Sequence, residues 1–470
     1  MTPRTDSTRA RSAVTTREHL GTLSAAAVDA RTRGLSKAGA RILRGTFVDS
    51  AGVLRAKQVP IERASVFHSP GLGASPVWVI FCADDGIAFT PNFGVVGDMR
   101  LRADLDAAVS IADGSAWAPT ELTDQDGRAL AFCPRGTLRR QQAAAEAEGL
   151  EILAATEIEF VAFDATTGRI AGHGGPAYGL APLLEHAAFV DDVHRGFDHA
   201  GLSIEQLHAE YGSGQIELSV APAAPLQAAD RNVLARILLC QAARRHGLRL
   251  SFSPRSLAAG VGNGAHVHLS FAHAGAPLLS GGQGPHGLTD GGAAIVGGFV
   301  RWIPEVIGAL APSMLSGLRL QPGHWSGAFA CWGLENREAA VRLCAGTAGN
   351  PRGANVEVKC IDPSANPYVV NTMLVGLARR GRQEGVSLPA ETTSNPGAMS
   401  DEQRAQAGIV RLQSDQAAML DALEHSKVAG EILGGALLEA LVAVRRHEVD
   451  IARGVSIEDL VERFRFAWSV

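Results

Sequence analysis

Between Leu153 and Phe163 the chain reads LAATEIEFVAF, an apolar run interrupted by Thr156 and by two carboxylates set two residues apart. In a β-strand successive side chains point to opposite faces, so Glu157 and Glu159 share one face while Ile158 and Phe160 share the other. Taken alone, the pattern fits an edge strand with one solvated face. Three other segments repeat it. GQIELSV sets Gln215, Glu217 and Ser219 against Ile216, Leu218 and Val220. HVHLSF sets His266, His268 and Ser270 against Val267, Leu269 and Phe271, and VEVKCI sets Glu357 and Lys359 against Val356, Val358 and Cys360. Four strands of this kind predict a curved sheet whose concave face is a polar site and whose convex face packs on helices.

The rest of the chain divides in two. From about Arg44 to Leu130 it is strand-like and rich in turns. RGTFVD and VLRAKQVP flank Ser50-Ala51-Gly52 as a hairpin. VWVIFCADDG reads as a buried strand or two, followed by the loop TPNFGVVGD. In FCPRGTLRRQQAAAEAEG, Pro134 and Gly136 introduce an Ala-rich helix, and the boundary falls there. Beyond it, helical stretches such as RNVLARILLCQAARRHG and ILGGALLEALVAVRRHEV alternate with short strands. Ser456 and Asp459 carry a capping-box pattern. The expected class is α+β. A flexible arm and helix over 1–35 precede a small, mostly β domain over 36–132. A larger domain over 133–470 carries the curved antiparallel sheet, backed by helices.

Composition narrows the partners. At 470 residues the chain is long enough for two or more domains, and 46% hydrophobic with 19% charged content is ordinary for a soluble globular protein. A formal net charge of -5 is too mild to argue for nucleic acid, acidic membranes or a polyanionic substrate. The six cysteines show no CxxC spacing and read as reduced, cytosolic residues. No apolar stretch approaches the roughly 18 residues needed to span a bilayer. The N-terminus lacks a hydrophobic signal core, and Asp6 and Glu18 count against a transit peptide. The expected location is cytoplasmic, with neither membrane nor nucleic-acid partner.

The polar faces suggest the chemistry. Glu157, Glu159, Glu217 and Glu357, with Glu210 just ahead of GSGQIE, make an oxygen-rich cluster joined by one or two imidazoles. Such a set suits hard divalent cations such as Mg²⁺ or Mn²⁺. Arg319, Arg337, Arg342 and Lys359 lie in the same half, and arginines bind carboxylates and phosphates bidentately. Arg337 and Arg342 are five apart, which matches neither one helix face nor one strand face, so an irregular loop is needed to aim both inward. Carboxylate-held metals beside arginines imply phosphoryl transfer by positioning and charge neutralisation. The P-loop pattern Gly-x-x-x-x-Gly-Lys-Ser/Thr is absent, and the Gly-rich GHGGPAYG is by itself weak evidence of phosphate binding.

At these residues the chain resembles the glutamine synthetase family. TEIEF, HAEYGSGQIEL, GNGAHVHLS, LRLQPG, NREAAVRL and VEVKCIDPSANPY stand in family order, and VDSAGVLRAKQVP resembles the opening of the family's N-terminal β-grasp domain. The similarity runs over roughly residues 36 to 470. It implies a subunit of stacked rings with each active site between neighbours. The reaction implied is formation of γ-glutamyl phosphate from ATP and glutamate, then displacement of phosphate by an amine. By matching motifs, Glu159, Glu210 and Glu217 hold one metal, and Glu157, His266 and Glu357 hold the other, so that two or more Mg²⁺ or Mn²⁺ ions serve each site. Arg319 and Lys359 meet the glutamate carboxylates, with Gly262 a further substrate contact. Arg337 and Arg342 neutralise the transferring phosphoryl group. His268 and Ser270 lie along the nucleotide, with Arg342, Glu205 and Arg352 as further nucleotide candidates.

The departures point to the substrate. Lys359 stands where the family usually has Arg, so a planar fork becomes a point charge. VGNGAH begins with Val261 where the family commonly has an Asn that helps hold glutamate. Ammonia-using members carry a flap Glu in RLVPGYEAP, whereas this chain reads RLQPGHWSG, with Trp325 in that place. Trp325 accepts no proton, but its ring covers an alkyl chain or attracts a cationic head at ~0.5–2 kcal/mol. The adjacent His324, with an unperturbed pKa of ~6.5, suits the role of base. The resemblance therefore implies a ligase making a γ-glutamyl amide from glutamate and a primary amine such as ethanolamine or a polyamine. A true glutamine synthetase using ammonia and a non-catalytic relative are the alternatives. The neighbouring subunit's amine-site acid falls in CADDG, at Asp84 or Asp85. Some bacterial relatives are adenylylated on a Tyr after the NPY motif. The three tyrosines here are Tyr178, Tyr211 and Tyr368, with none beyond the last, so that control is not expected.

Overall fold

The hairpin around Ser50-Ala51-Gly52 forms between Ile42–Val48 and Leu54–Pro60, in antiparallel register from Ile42 opposite Pro60 to Val48 opposite Leu54. The computed structural model describes residues 19–172, 176–350 and 352–470, so most of the N-terminal arm and the centre of GHGGPAYG lie outside the described residues. Ile42–Val48 also pairs, in parallel, with Ser115–Thr123, which pairs antiparallel with Met99–Ala103 and Val109–Ile111. Leu72–Ala74 completes a six-stranded sheet. The segment VWVIFCADDG differs from expectation. It forms a short 3-10 turn at Pro76–Trp78, opened by Pro76 and capped by the Ser75 side chain, and an irregular run bridged at Phe81 and Ile87.

Pro134 opens the helix Pro134–Ala147, where its missing N–H costs nothing, and the Cys133 side chain accepts the Gly136 N–H as cap. At the far end Ser456 caps Ile457–Phe464 through the Asp459 N–H. The Asp459 carboxylate accepts from the Ser456 hydroxyl at 2.7 Å instead of reaching back to the backbone.

Among the described residues the larger sheet has ten strands. Val410–Arg411, Phe329–Leu334, Ala339–Cys344, Asn355–Val358, Val267–His273, Leu150–Asp164, Gln215–Val220 and Ile204–Ala209 follow in that order, with Leu248–Ser251 and Ala276–Pro277 attached at the side. All four segments with alternating polar faces are adjacent members of it. The sheet is not wholly antiparallel: Phe329–Leu334 and Ala339–Cys344 run parallel, and the chain returns between them through residues 335–338. Arg337 sits on that irregular link and Arg342 in the strand after it, which is how residues five apart reach one site.

The apolar faces behave as their alternation predicts. Ile158, Phe160, Ile216, Leu218, Val267, Leu269, Val356 and Val358 are all buried in one core with the helices Pro225–Arg245, Asp290–Leu310 and Pro367–Glu384. Truncating one such side chain, Phe160, to Ala costs about 3–5 kcal/mol. Asp290–Leu310 is 21 residues long and apolar enough to cross a membrane by length and composition, contrary to the sequence expectation. Its apolar window is 72% buried within the protein, so the hydrophobicity serves the core. A second, smaller core under the six-stranded sheet includes Ala440 and Val444 of the C-terminal helix Gly435–Ala452.

Candidate active site

The polar faces of the four strands converge on one cavity of about 740 Å³. Glu157, Glu159, Glu210, Glu217, His266, Glu357, Arg319, Arg337, Arg342, Lys359, Gly262, His324 and Trp325 all line it. His266 Nδ1 lies 3.0 Å from Glu157 Oε2 and 3.2 Å from Glu357 Oε1. The ligand atoms of Glu157, His266 and Glu357 fall within 4.8 Å of one another, the grouping expected for one cation.

The second grouping differs from expectation. It joins His208, Glu210 and Glu217, with His208 Nε2 at 2.9 Å from Glu210 Oε1 and 3.8 Å from Glu217 Oε1. Glu159 lies beside that grouping, its Oε2 accepting the Gly264 N–H at 2.8 Å and Gln215 Nε2 at 2.9 Å while its Oε1 faces His266 Nε2 at 3.9 Å. Gly264 is required there. A Cβ would come within 2.5 Å of His266 Nε2 and 2.7 Å of Glu159 Oε1.

Electrostatics across the cavity are uneven. Burial, then the charges of Glu157, Glu159 and Glu210, push the Glu217 carboxyl up to about 10. Burial also opposes ionisation of Glu157, but hydrogen bonds from His266 and His268 outweigh it and hold that carboxyl well below the usual range. Glu357 is likewise held low against its burial by the Lys359 charge and by His266. Lys359 Nζ donates to Glu357 Oε1 at 2.8 Å, and Arg342 Nη1 to Glu357 Oε2 at 2.9 Å. One carboxyl that keeps its proton for want of a counter-charge, Glu217, among imidazoles and further carboxylate oxygens, fits a site for divalent cations.

Lys359 therefore meets a candidate metal ligand, where the resemblance put it at the substrate carboxylates. Arg319 is the freer cation. It is 4% exposed, donates through Nη2 to His266 Nε2 at 2.9 Å and to the Lys359 carbonyl at 3.2 Å, and its Nη1 has no partner among the described residues.

Residues 321–327 form an irregular, turn-rich stretch that carries His324 and Trp325. Trp325 is half exposed on the cavity wall, at φ +50°, and its N–H donates to Glu338 Oε1 at 3.2 Å. A bulky side chain in left-handed backbone is a strained arrangement of the kind retained at functional sites. His324 lines the cavity beside it, its pKa lowered by burial and then by the Arg255 charge.

Several expected residues lie elsewhere. A bulge between Ile204 and Gln206 turns Gln206 and His208 to the cavity and leaves Glu205 exposed outside it. His268 stands behind the wall, with Nε2 3.1 Å from Glu157 Oε1 and Nδ1 2.8 Å from Asn355 Oδ1. Ser270, opposite Leu153, lies one strand repeat further and outside the cavity lining. Arg352 is exposed and donates to the Gly275 carbonyl at 3.2 Å. Neither Asp84 nor Asp85 lines the cavity of its own chain. Asp84 is tied to His447 at 3.1 Å and Arg463 at 3.2 Å, whereas the Asp85 side chain is 81% exposed, at φ +63°, with Arg55 at 2.9 Å. Tyr368 is buried, with its hydroxyl donating to Asp230 Oδ1 at 2.8 Å, which removes it as a surface modification site.

Sequence reading assigned no role to Tyr178, Gln206, His208, Tyr211 or Gln215, all of which line the cavity. Gln215 was legible as a face-mate of Glu217, and His208 as the residue two before Glu210. Tyr178 gave no spacing signal. Its ring stacks on His208 at 6.2 Å between centroids, and burial with the Glu210 charge raises its hydroxyl to about 12.

Over residues 131–461 the chain matches the family described as glutamine synthetase, catalytic domain. It is 37% identical over 430 residues to the gamma-glutamylpolyamine synthetase GlnA3 of Streptomyces coelicolor, spanning 90% of this chain and 92% of that protein. Over 395 residues it is 28% identical to the glutamine synthetase of Pyrococcus horikoshii, spanning 83% and 85%. A solved glutamine synthase homolog superposes with a TM-score of 0.82 at 28% identity, over 91% of this chain and 99% of that one. The fold, the cavity and these matches define a ligase that joins a carboxylate to an amine. The chain belongs to the glutamine synthetase family.

Proposed function

We propose that the protein joins the γ-carboxylate of glutamate to a primary organic amine, a polyamine above all, with ATP as phosphoryl donor. The observation that carries this reading is Trp325, half exposed on the cavity wall where ammonia-using relatives carry a carboxylate. An ammonium ion needs a group that attracts it and takes its proton. An indole takes no proton, yet it packs on methylenes and attracts a cationic head. The similarity to a protein named for polyamine glutamylation favours a polyamine over ethanolamine.

The residues divide the work as follows. The unpartnered Nη1 of Arg319 receives a glutamate carboxylate, and Gly262 lets the substrate approach the backbone closely. Glu157, His266 and Glu357 would hold one divalent cation, and Glu210 and Glu217 with Glu159 another. Bound there, such cations supply charge neutralisation to the phosphates. Arg337, and Arg342 beside Glu357, neutralise the transferring phosphoryl group. His324, kept neutral by burial and by Arg255, accepts the proton of the attacking ammonium group at its free ring nitrogen. Asp85, exposed and outside its own cavity, serves the amine site of an adjacent copy in a ring.

The reading is tested by incubating the protein with ATP, Mg²⁺, glutamate and putrescine and analysing products by mass spectrometry. It requires a γ-glutamyl amide formed one-for-one with phosphate release, and absence of that amide contradicts it.

A further inference from the structure

The junction between the two sheets holds a group of side chains that the ligase reaction does not use. The buried run ending at Cys82 leads into the loop that carries Asp85, and this loop meets the C-terminal helix Gly435–Ala452. There the Cys82 sulfur, a carboxylate oxygen of Asp84 and a ring nitrogen of His447 lie within 4.8 Å of one another. We propose that Cys82, Asp84 and His447 form a site for a zinc-like divalent ion that staples the Asp85 loop to the C-terminal helices.

The donor set points to the kind of ion. One sulfur, one imidazole nitrogen and one carboxylate oxygen are the ligands of a borderline-soft ion and not of Mg²⁺. The spacing fits the same ion. Bonds of about 2.0 Å to nitrogen and oxygen at tetrahedral angles put those two atoms about 3.3 Å apart. His447 Nε2 and Asp84 Oδ1 are 3.1 Å apart.

The surroundings hold the ligands in place. Arg463 Nη2 donates to the other Asp84 oxygen, Oδ2, at 3.2 Å, and the Gly86 N–H donates to Oδ1 at 3.1 Å. Ligating carboxylates are commonly oriented by such outer partners. The Cys82 sulfur is fully buried, its one hydrogen-bond contact among the described residues the Ile80 carbonyl at 3.9 Å. His447 is about a third exposed, which leaves an approach for the ion and for a water as fourth ligand.

A thiolate and a carboxylate together balance a dication. Asp84 and His447 are 363 residues apart in sequence. A metal joining them would close a very long loop and fix the segment that presents Asp85.

Cobalt(II) tests this cleanly, because none of the residues lining the catalytic cavity is a cysteine. The full-length protein is stripped with chelator and titrated with Co²⁺, following the near-ultraviolet thiolate-to-cobalt charge-transfer band. The band should appear, saturate and be displaced by Zn²⁺. It should vanish in Cys82→Ser and require at least about tenfold more Co²⁺ in His447→Gln. No band in the wild-type protein, or a band that survives Cys82→Ser, overturns the proposal. Should Cys82→Ser fail to fold, unchanged cobalt affinity in His447→Gln overturns it equally.

Discussion

Glu159 and Glu217 stand directly opposite each other on adjacent antiparallel strands, each less than a tenth exposed. Like charges in that position repel. The protein tolerates the pair by giving Glu159 two N–H donors and leaving Glu217 its proton. Such a site is built around a positive charge that the protein itself does not fully supply.

The sign of the resulting pH dependence follows. With its folded pKa at about 10 and an ordinary value of 4.5 when unfolded, Glu217 retains a proton in the fold that the unfolded chain releases. Between those values the metal-free protein loses stability as pH rises. Glu217→Gln should therefore raise the metal-free Tm at pH 8 by on the order of a few degrees. The same change should abolish ligation and diminish the Tm increase that Mg²⁺ or Mn²⁺ gives the wild type. Thermal scans with and without metal check both, and an undiminished metal-induced rise in the variant rules the assignment out.

That much of the site was legible because alternation in a strand needs only sequence. Glu157, Glu217, His266 and Glu357 were placed by period-two reading and face the cavity as expected. The failures have equally local causes. A single bulge exchanged Glu205 for His208, and an irregular 79–82 run replaced a strand. None of these is written in residue spacing, because each depends on which backbone donor happens to lie across the sheet.

Asp84 and Asp85 differ in exposure, and the difference predicts different defects. Asp85→Asn should lower kcat/KM for the amine by about 10²-fold while leaving the Tm unchanged. Asp84→Asn should lower the Tm, because it loosens contacts to His447 and Arg463. If Asp85 serves a neighbouring copy, mixing Asp85→Asn chains with Glu217→Ala chains restores activity that neither has alone. Mixed oligomers as inactive as their parents would contradict that role.

His324 is held below the ordinary imidazole value by burial and by Arg255. The acidic limb of the kcat profile should accordingly fall below about pH 6.5. His324→Gln should remove this limb and lower kcat by about 10²–10⁴-fold. A profile whose acidic limb survives the substitution would assign the base elsewhere.

Trp325 should act on amine affinity more than on turnover. Trp325→Ala is expected to raise the amine KM by roughly 2- to 30-fold, the equivalent of a contact of about 0.5–2 kcal/mol, with kcat changed less. Steady-state kinetics separate the two parameters, and a loss confined to kcat would show that the ring does not bind the amine.

The central claim is the identity of the nucleophile, and it is met most directly by competition. Wild-type protein with ATP, Mg²⁺ and glutamate is offered ammonia and one organic amine together, across a panel from ethanolamine to polyamines, and the products are quantified. The account predicts that a polyamine gives the highest kcat/KM and that γ-glutamyl polyamine dominates over glutamine. Glutamine as the dominant product against every member of the panel would contradict it.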